Sequence, residues 1–181
     1  MFDKLSNTLK KYAKGWLIFI LFLLDGIFMG YVMPSLGAGM GSSGPIDLKF
    51  FYTPQTAYKM IASYSEQTRA IYRIGELTLD VVYPVVYTLF FSLLITWLFK
   101  RGFPSESKMQ RLNVVPFGAW LFDLFENLGI VAMLSVYPST PAGVAWLTTI
   151  FTMVKWSFAG AGGVLILIGL VMTIKNRFKT S

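Results

Sequence analysis

The 181-residue chain contains neither cysteine nor histidine. It therefore has no disulfide, no thiol nucleophile, and none of the His or Cys ligands that hold zinc, iron–sulfur clusters or haem. Catalytic triads based on histidine are excluded as well. Oxygen ligands would have to hold any metal, and Asp, Glu, Tyr, Lys or water would have to carry any proton. We predict no metal site, and no cofactor can be identified.

Charged residues are also scarce, at 14% of the chain against 55% hydrophobic residues. Several apolar runs reach about 20 residues, the length that crosses the ~30 Å hydrocarbon core of a bilayer. The net charge of +7 could suggest nucleic acid, but the basic residues lie at the ends of the apolar runs, where membrane topology places them. This pattern indicates a lipid bilayer as the partner and no nucleic acid.

The apolar runs predict an all-α membrane protein, an antiparallel bundle of four transmembrane helices that forms one integral membrane domain over residues 1–181. The predicted spans are 16–33, 79–100, 114–136 and 144–174, with a partly helical exterior segment at 34–78. The short loops on one side are basic and the turn at 137–141 is uncharged. We therefore expect both termini in the cytoplasm, with the protein in the plasma membrane of a bacterium or archaeon.

Local signals refine this picture. Residues 1–15 combine lysines with apolar residues at helical spacing and predict an amphipathic helix on the membrane surface. Gly26 and Gly30 form a GxxxG pair that would allow another helix to approach closely. Residues 34–45 hold four glycines and two prolines, which predicts a flexible or irregular loop. Thr53-Pro54 is typical of a helix start.

The second span is predicted to belong to a much longer helix. After the possible N-caps Ser63 and Ser65, only Pro84 interrupts the helical pattern before Gly102. About 36 residues at 1.5 Å each make ~54 Å, so this helix should project beyond the bilayer. Pro84 has no N–H for the carbonyl of Asp80, so we expect a kink there that frees this carbonyl.

One stripe of that helix has the spacing that keeps side chains on a single seam. It consists of Arg69, Arg73, Glu76, Asp80, Tyr83 and Tyr87. The part from Arg69 to Glu76 is equally compatible with a solvated face of ion pairs. The part from Asp80 to Tyr87 lies inside the predicted span, where a solvated face is harder to accommodate.

The third span carries the most informative group, since Asp123, Glu126 and Asn127 fall on one helix face. A charge at bilayer depth costs roughly 2.5–3.5 kcal/mol, so such residues normally find partners inside a bundle. Lys155 in the fourth span and Asp25 in the first lie at a similar depth. We therefore predict that Lys155 meets Asp123 or Glu126, with Asn127 and Asp25 in the same cavity.

These positions define the candidate site. Its candidate catalytic residues are Asp123, Glu126 and Lys155, and its candidate ligand-binding residues are Asp25, Arg73, Asp80, Tyr83, Tyr87, Trp120 and Asn127. A purely structural alternative remains, in which a buried Lys–Asp pair only sets the helix register.

Three functions are compatible with this site. We favour a pocket for a lipid-like or amphipathic small molecule, with acid–base chemistry by Asp123 and Glu126 as a further hypothesis. The second is a proton- or cation-coupled transporter or channel subunit that uses the carboxylates as a relay. The third is a subunit without chemistry that docks a partner through its polar face, in a homo-oligomer or a larger membrane complex. Whether the protein is an enzyme stays open at this point.

Overall fold

The computed structural model describes residues 2–179, and these residues form helices joined by short turns, without any strand. The α-helices are α1 (Phe2–Tyr12), α2 (Gly15–Ile27), α3 (Met33–Gly37), α4 (Pro54–Ser63), α5 (Glu66–Leu77), α6 (Leu79–Gly102), α7 (Pro116–Val136) and α8 (Ala142–Lys179). A π-helical turn spans Phe28–Val32, and 3₁₀ turns span Ala38–Ser43, Ile46–Leu48 and Lys108–Val114.

Within residues 2–179, four helical stretches are long and apolar enough to cross a membrane. They are Gly15–Ser43, Leu79–Gly102, Lys108–Val136 and Ala142–Phe178. Each overlaps one of the four predicted spans. The stretch Gly15–Ser43, formed by α2, the π turn, α3 and the first 3₁₀ turn, is called the first long helix below.

The first long helix continues past its predicted end at residue 33, so the prediction of a loop from residue 34 is wrong for its first part. Pro34 lies in the first turn of α3, directly after the π turn Phe28–Val32, so the helical backbone continues through the proline. The irregular backbone starts only at Gly41 and Gly44, whose φ angles of 57° and 61° favour glycine.

The predicted continuous helix from Ser65 to Gly102 is also wrong, because it breaks at Thr78. There φ is −126° and ψ is −80°, and the Thr78 hydroxyl donates to the Ile74 carbonyl at 2.6 Å. A hydroxyl bonded in this way competes with the helical hydrogen-bond ladder. At the other end of α5, Ser65 is the N-cap and accepts a hydrogen bond from the Thr68 N–H. The break separates α5 from α6 and lets each helix aim its side chains independently.

The predicted release of the Asp80 carbonyl by Pro84 is confirmed, and the kink stays a prediction. The Asp80 carbonyl has no helical partner and instead accepts a 2.7 Å hydrogen bond from the Asn127 side-chain amide. Asn127 thus couples α7 to α6 at the point where the proline leaves the backbone unsatisfied.

Residues 40–72 form a cap on one end of the long helices. A buried cluster joins this segment to the end of α7 and the start of α8, through Ile46, Tyr52, Ile61, Ile130 and Ala145. The predicted helix at Thr53-Pro54 is α4, with the Thr53 hydroxyl accepting from the Thr56 N–H. This packing holds the cap rigidly over the space between the long helices.

The opposite end is closed by α1. Leu9 of this helix is buried against α2 and α6, next to Leu93, whereas Lys4, Lys11 and Tyr12 stay exposed. An amphipathic helix is confirmed over Phe2–Tyr12, its position on the membrane surface stays a prediction, and Met1 lies outside the described residues.

The first long helix is packed differently from the others. It lies along α6, with Phe22 against Phe90 and Phe28 stacked on Tyr83 at a centroid distance of 5.3 Å. The long helices α6, α7 and α8 all pack on one another. No part of the described chain approaches Gly26 or Gly30, so the expected close helix contact is absent within residues 2–179.

Candidate functional site

A cavity of about 750 Å³ lies beneath the cap, between the first long helix, α5, α6 and α8. Most of its wall is apolar. The polar part of the wall consists of the carboxylates of Asp25, Asp47, Glu76, Asp80 and Asp123, the side chains of Tyr72, Tyr83 and Tyr87, and the ammonium of Lys155. The structure thus brings the separate acids of the sequence to one internal surface.

Lys155 forms the centre of the site. Its ammonium lies 3.2 Å from Asp123 Oδ1 and also forms an ion pair with Glu126 Oε2. The exposed fractions are 8% for Lys155, 4% for Asp123 and 0% for Glu126. Both acids reach the same cation because they are three residues apart on α7 and share a helix face. The predicted convergence of these residues is therefore confirmed.

Hydrogen bonds extend this ion pair on both sides. The Tyr87 hydroxyl donates to Asp123 Oδ2 at 2.7 Å, and the Thr152 hydroxyl donates to Glu126 Oε1 at 2.6 Å. The Tyr52 hydroxyl lies 3.2 Å from that of Thr152. We call the resulting series the polar chain; it comprises Tyr52, Thr152, Glu126, Lys155, Asp123 and Tyr87. It connects the cap, α8, α7 and α6 through buried contacts.

Asp47 is held over the cavity by two helices. The Tyr72 hydroxyl of α5 donates to Asp47 Oδ1 at 2.6 Å, and the Trp156 indole N–H of α8 donates to the Asp47 carbonyl at 3.1 Å. The backbone N–H of Ile46 donates to the Tyr72 hydroxyl. Sequence reasoning missed Asp47 because it lies in an irregular segment, where no periodicity indicates which way a side chain points.

Three other acids lack such partners. Glu76 is only 3% exposed, and its Oε2 has no hydrogen-bond partner. Asp25 Oδ1 is likewise buried without a partner, although the Tyr83 hydroxyl lies beside this carboxylate. No hydrogen bond or ion pair within residues 2–179 reaches the Asp80 carboxylate, which lines the cavity. Unpaired buried polar groups are rare in folded proteins and call for an explanation.

Glu76 lies on α5, outside the four long apolar stretches. Burial raises the pKa of Glu76 well above its ordinary value of 4.5. The nearby charges of Asp47, Asp80 and Glu126 raise it further, and Lys155 partly offsets them. The sequence stripe did include Glu76, but a solvated face was an equally good interpretation of that part of it.

Not every predicted ligand-binding residue reaches the cavity. Arg73 is exposed and Trp120 packs beside Phe117; neither lines the cavity wall. Tyr72 and Glu76 are four residues apart and turn the same face of α5 inward, which leaves Arg73 on another face. Asn127, which we predicted in the same cavity, does not line the wall either, and its side-chain amide donates to the Asp80 carbonyl.

The charges are strongly segregated. Six of the nine acidic residues of the chain surround the cavity and its Lys155, which is one of sixteen basic residues. These six are Asp25, Asp47, Glu76, Asp80, Asp123 and Glu126. No three acidic residues in the described part of the chain are grouped closely enough to hold a metal ion. The negative groups are therefore distributed over the cavity wall.

No protein-family model, curated protein or solved structure matches the chain. Its function must therefore be inferred from the chemistry of the site itself.

The ion pair at the centre of the site leads to a prediction about stability. Lys155→Met should lower the free energy of unfolding by about 3–5 kcal/mol, because it leaves two buried carboxylates without their cation. Adding Asp123→Asn and Glu126→Gln should restore most of this loss, since no uncompensated charge then remains. Thermal unfolding in a mild detergent measures both effects. Equal destabilisation of the single and triple variants would contradict the central role of the ion pair.

Glu76 leads to a prediction about pH. Since its pKa is raised on folding, the native state holds this proton more tightly than the unfolded chain does. Stability should therefore fall as the pH rises from about 4.5 toward the raised pKa of Glu76. Glu76→Gln should remove this part of the decline and be more stable than the unsubstituted protein above that range. Exposed Glu66 at the start of the same helix provides the control Glu66→Gln, whose melting profile against pH should be unchanged.

Proposed function

We propose that this chain is an integral membrane protein whose cavity binds a lipid-like or amphipathic small molecule. The observation that carries the proposal is the cavity of about 750 Å³, whose largely apolar wall also carries several carboxylates. Small-molecule sites commonly have ~300–1,000 Å³, apolar walls and a few well-placed polar groups. A molecule with an apolar part and a polar end would satisfy both parts of this wall.

The surface of the long helices supports a membrane setting. Large apolar side chains such as Phe19, Phe22, Leu147 and Leu167 are exposed, and soluble proteins rarely expose so much apolar surface together. We propose that the four helices cross the bilayer as an antiparallel bundle with both termini in the cytoplasm and the cap outside, in a bacterial or archaeal plasma membrane. Neighbouring helices then run in opposite directions along the chain, as the short connection between α7 and α8 requires.

The acids divide into two groups with different roles. Asp123 and Glu126 are occupied by Lys155, Tyr87 and Thr152, so we assign them to holding the wall of the pocket. A proton transfer by either acid would first have to break these contacts. The less constrained acids, Asp25, Glu76 and Asp80, are the ones that a ligand would meet.

The polar chain favours a second function, a proton- or cation-coupled transporter or channel subunit. Its hydroxyl, carboxylate and ammonium groups connect the cap to the cavity through hydrogen bonds, as a proton relay requires. Proton or cation flux in liposomes that disappears in Glu126→Gln would favour this second function over simple binding.

The proposed orientation can be tested by cysteine labelling, because the chain has no cysteine of its own. Ser105→Cys, in the turn between α6 and α7, should be labelled by a membrane-impermeant maleimide only after the cells are opened. Ser139→Cys, in the turn between α7 and α8, should be labelled in intact cells. The reverse pattern would invert the topology, and equal labelling of both sites in intact cells would exclude the proposed bundle.

Binding can be tested by obstructing the cavity. We expect lipid-like molecules to co-purify with the protein, as measured by native mass spectrometry, and Gly160→Trp to reduce their occupancy by at least about tenfold. Gly160 lines the cavity, and a Cβ added there would meet no other atom within 4 Å. The control Gly163→Trp lies on the same helix, also with open space around its Cα but outside the cavity wall. Equal occupancy in the two variants would contradict binding in this cavity.

A further inference from the structure

The charges on the cavity wall indicate which class of ligand the pocket would bind, and this inference rests on the proposed function. Lys155 is the only cation on the wall within the described residues, and Asp123 and Glu126 already engage it. Asp47 receives the Tyr72 hydroxyl. The three acids that remain, Asp25, Glu76 and Asp80, have no cationic partner in residues 2–179.

Glu76 gives independent evidence that something is to be bound here. It is 97% buried, its Oε2 has no hydrogen-bond partner, and it lines the cavity. Leaving a carboxylate oxygen buried and unpaired costs the full desolvation of that group. When Glu76 is ionised, a positively charged group in the cavity would offset this cost, whereas an anion would increase it.

Aromatic side chains stand beside these acids. Tyr83 and Tyr87 line the cavity with their rings 5.3 Å apart at 68°, and Trp156 lies across from them on α8. Aromatic faces attract ammonium groups, and quaternary ammonium ligands in particular are bound in aromatic surroundings. The wall thus offers both negative charge and aromatic faces to the same end of a ligand.

Part of the cavity wall is exposed at the surface. Met29 of the first long helix is 55% exposed, Gly160 of α8 is exposed as well, and both line the cavity. The first long helix packs along α6, whereas α8 packs mainly on α6 and α7, so we infer that the cavity opens through a gap between the first long helix and α8. In a membrane this gap would face the lipid and accept an alkyl chain.

We propose that the cavity binds a cationic amphiphile, with its ammonium head beside Glu76 and Asp80, which lie near each other, and its apolar tail extending through the gap between the first long helix and α8. Zwitterionic phospholipids fit less well, because their phosphate would be brought close to the unpaired carboxylates. The head-group charge, and not only the apolar tail, would then decide which molecules bind.

Proton exchange should accompany such binding. Glu76 faces Asp47 from the cap, Asp80 from α6, Glu126 from α7 and Lys155 from α8, with Tyr72 on its own helix. Since burial raises the pKa of Glu76, an arriving cation has to displace its proton. The affinity for a permanently charged ammonium should therefore increase with pH until Glu76 is ionised without the ligand.

The test uses the purified full-length protein in an uncharged detergent and three alkyl amphiphiles of equal tail length. Their head groups are trimethylammonium, phosphocholine and carboxylate, and calorimetry measures their affinities. We expect the trimethylammonium compound to bind at least about tenfold more tightly than the other two. Glu76→Gln combined with Asp80→Asn should remove most of this preference, whereas Glu66→Gln should leave it unchanged.

The outcomes separate this inference from the proposed pocket. If all three compounds bind equally and Gly160→Trp weakens each of them, the pocket stands and its preference for cations is wrong. If none binds, or if binding is insensitive to Gly160→Trp, the pocket itself is refuted. Retention of the cationic preference in the Glu76→Gln, Asp80→Asn variant would assign the charge selectivity to another part of the protein.

Discussion

The ammonium of Lys155, buried between Asp123 and Glu126, is the interaction on which the site depends. Charges removed from water are costly unless they are paired and hydrogen-bonded, so each group in this cluster constrains the position of its neighbours. Tyr87 and Thr152 complete the coordination of the two acids. Through these few groups, α6, α7 and α8 are held in one register, and the cap is joined to them by Tyr52.

The acids around the cavity differ in how well they are paired. Asp123 and Glu126 share a cation, whereas Glu76 and Asp80 face the cavity without one. A protein selected only for stability would replace such unpaired carboxylates by neutral side chains, because their burial lowers stability. Their presence in a partly open apolar space is the physical reason for assigning them to a ligand and not to the scaffold.

Sequence reasoning predicted the parts of this arrangement that depend on helical periodicity. The meeting of Lys155 with Asp123 and Glu126 followed from helical spacing and equal depth, and the free carbonyl of Asp80 followed from Pro84. The break at Thr78 and the position of Asp47 could not be predicted in this way. The position of Asp47 depends on hydrogen bonds from distant segments, such as that from Tyr72. The break at Thr78 accompanies a local hydroxyl that competes with the helix.

The length of α8 has a consequence for the membrane itself. Its 38 residues extend over about 57 Å, almost twice the ~30 Å hydrocarbon thickness of a bilayer. A tilt of about 40°, the upper end of the range for such helices, shortens the projection only to about 44 Å, so a substantial overhang remains. Lys155 lies roughly 20 Å from one end of α8 and roughly 36 Å from the other. Hydrophobic mismatch would thus determine how much of α8 protrudes on each side of the bilayer. Bilayer thickness would in turn determine how far Asp25 and Asp80 lie below the lipid head groups.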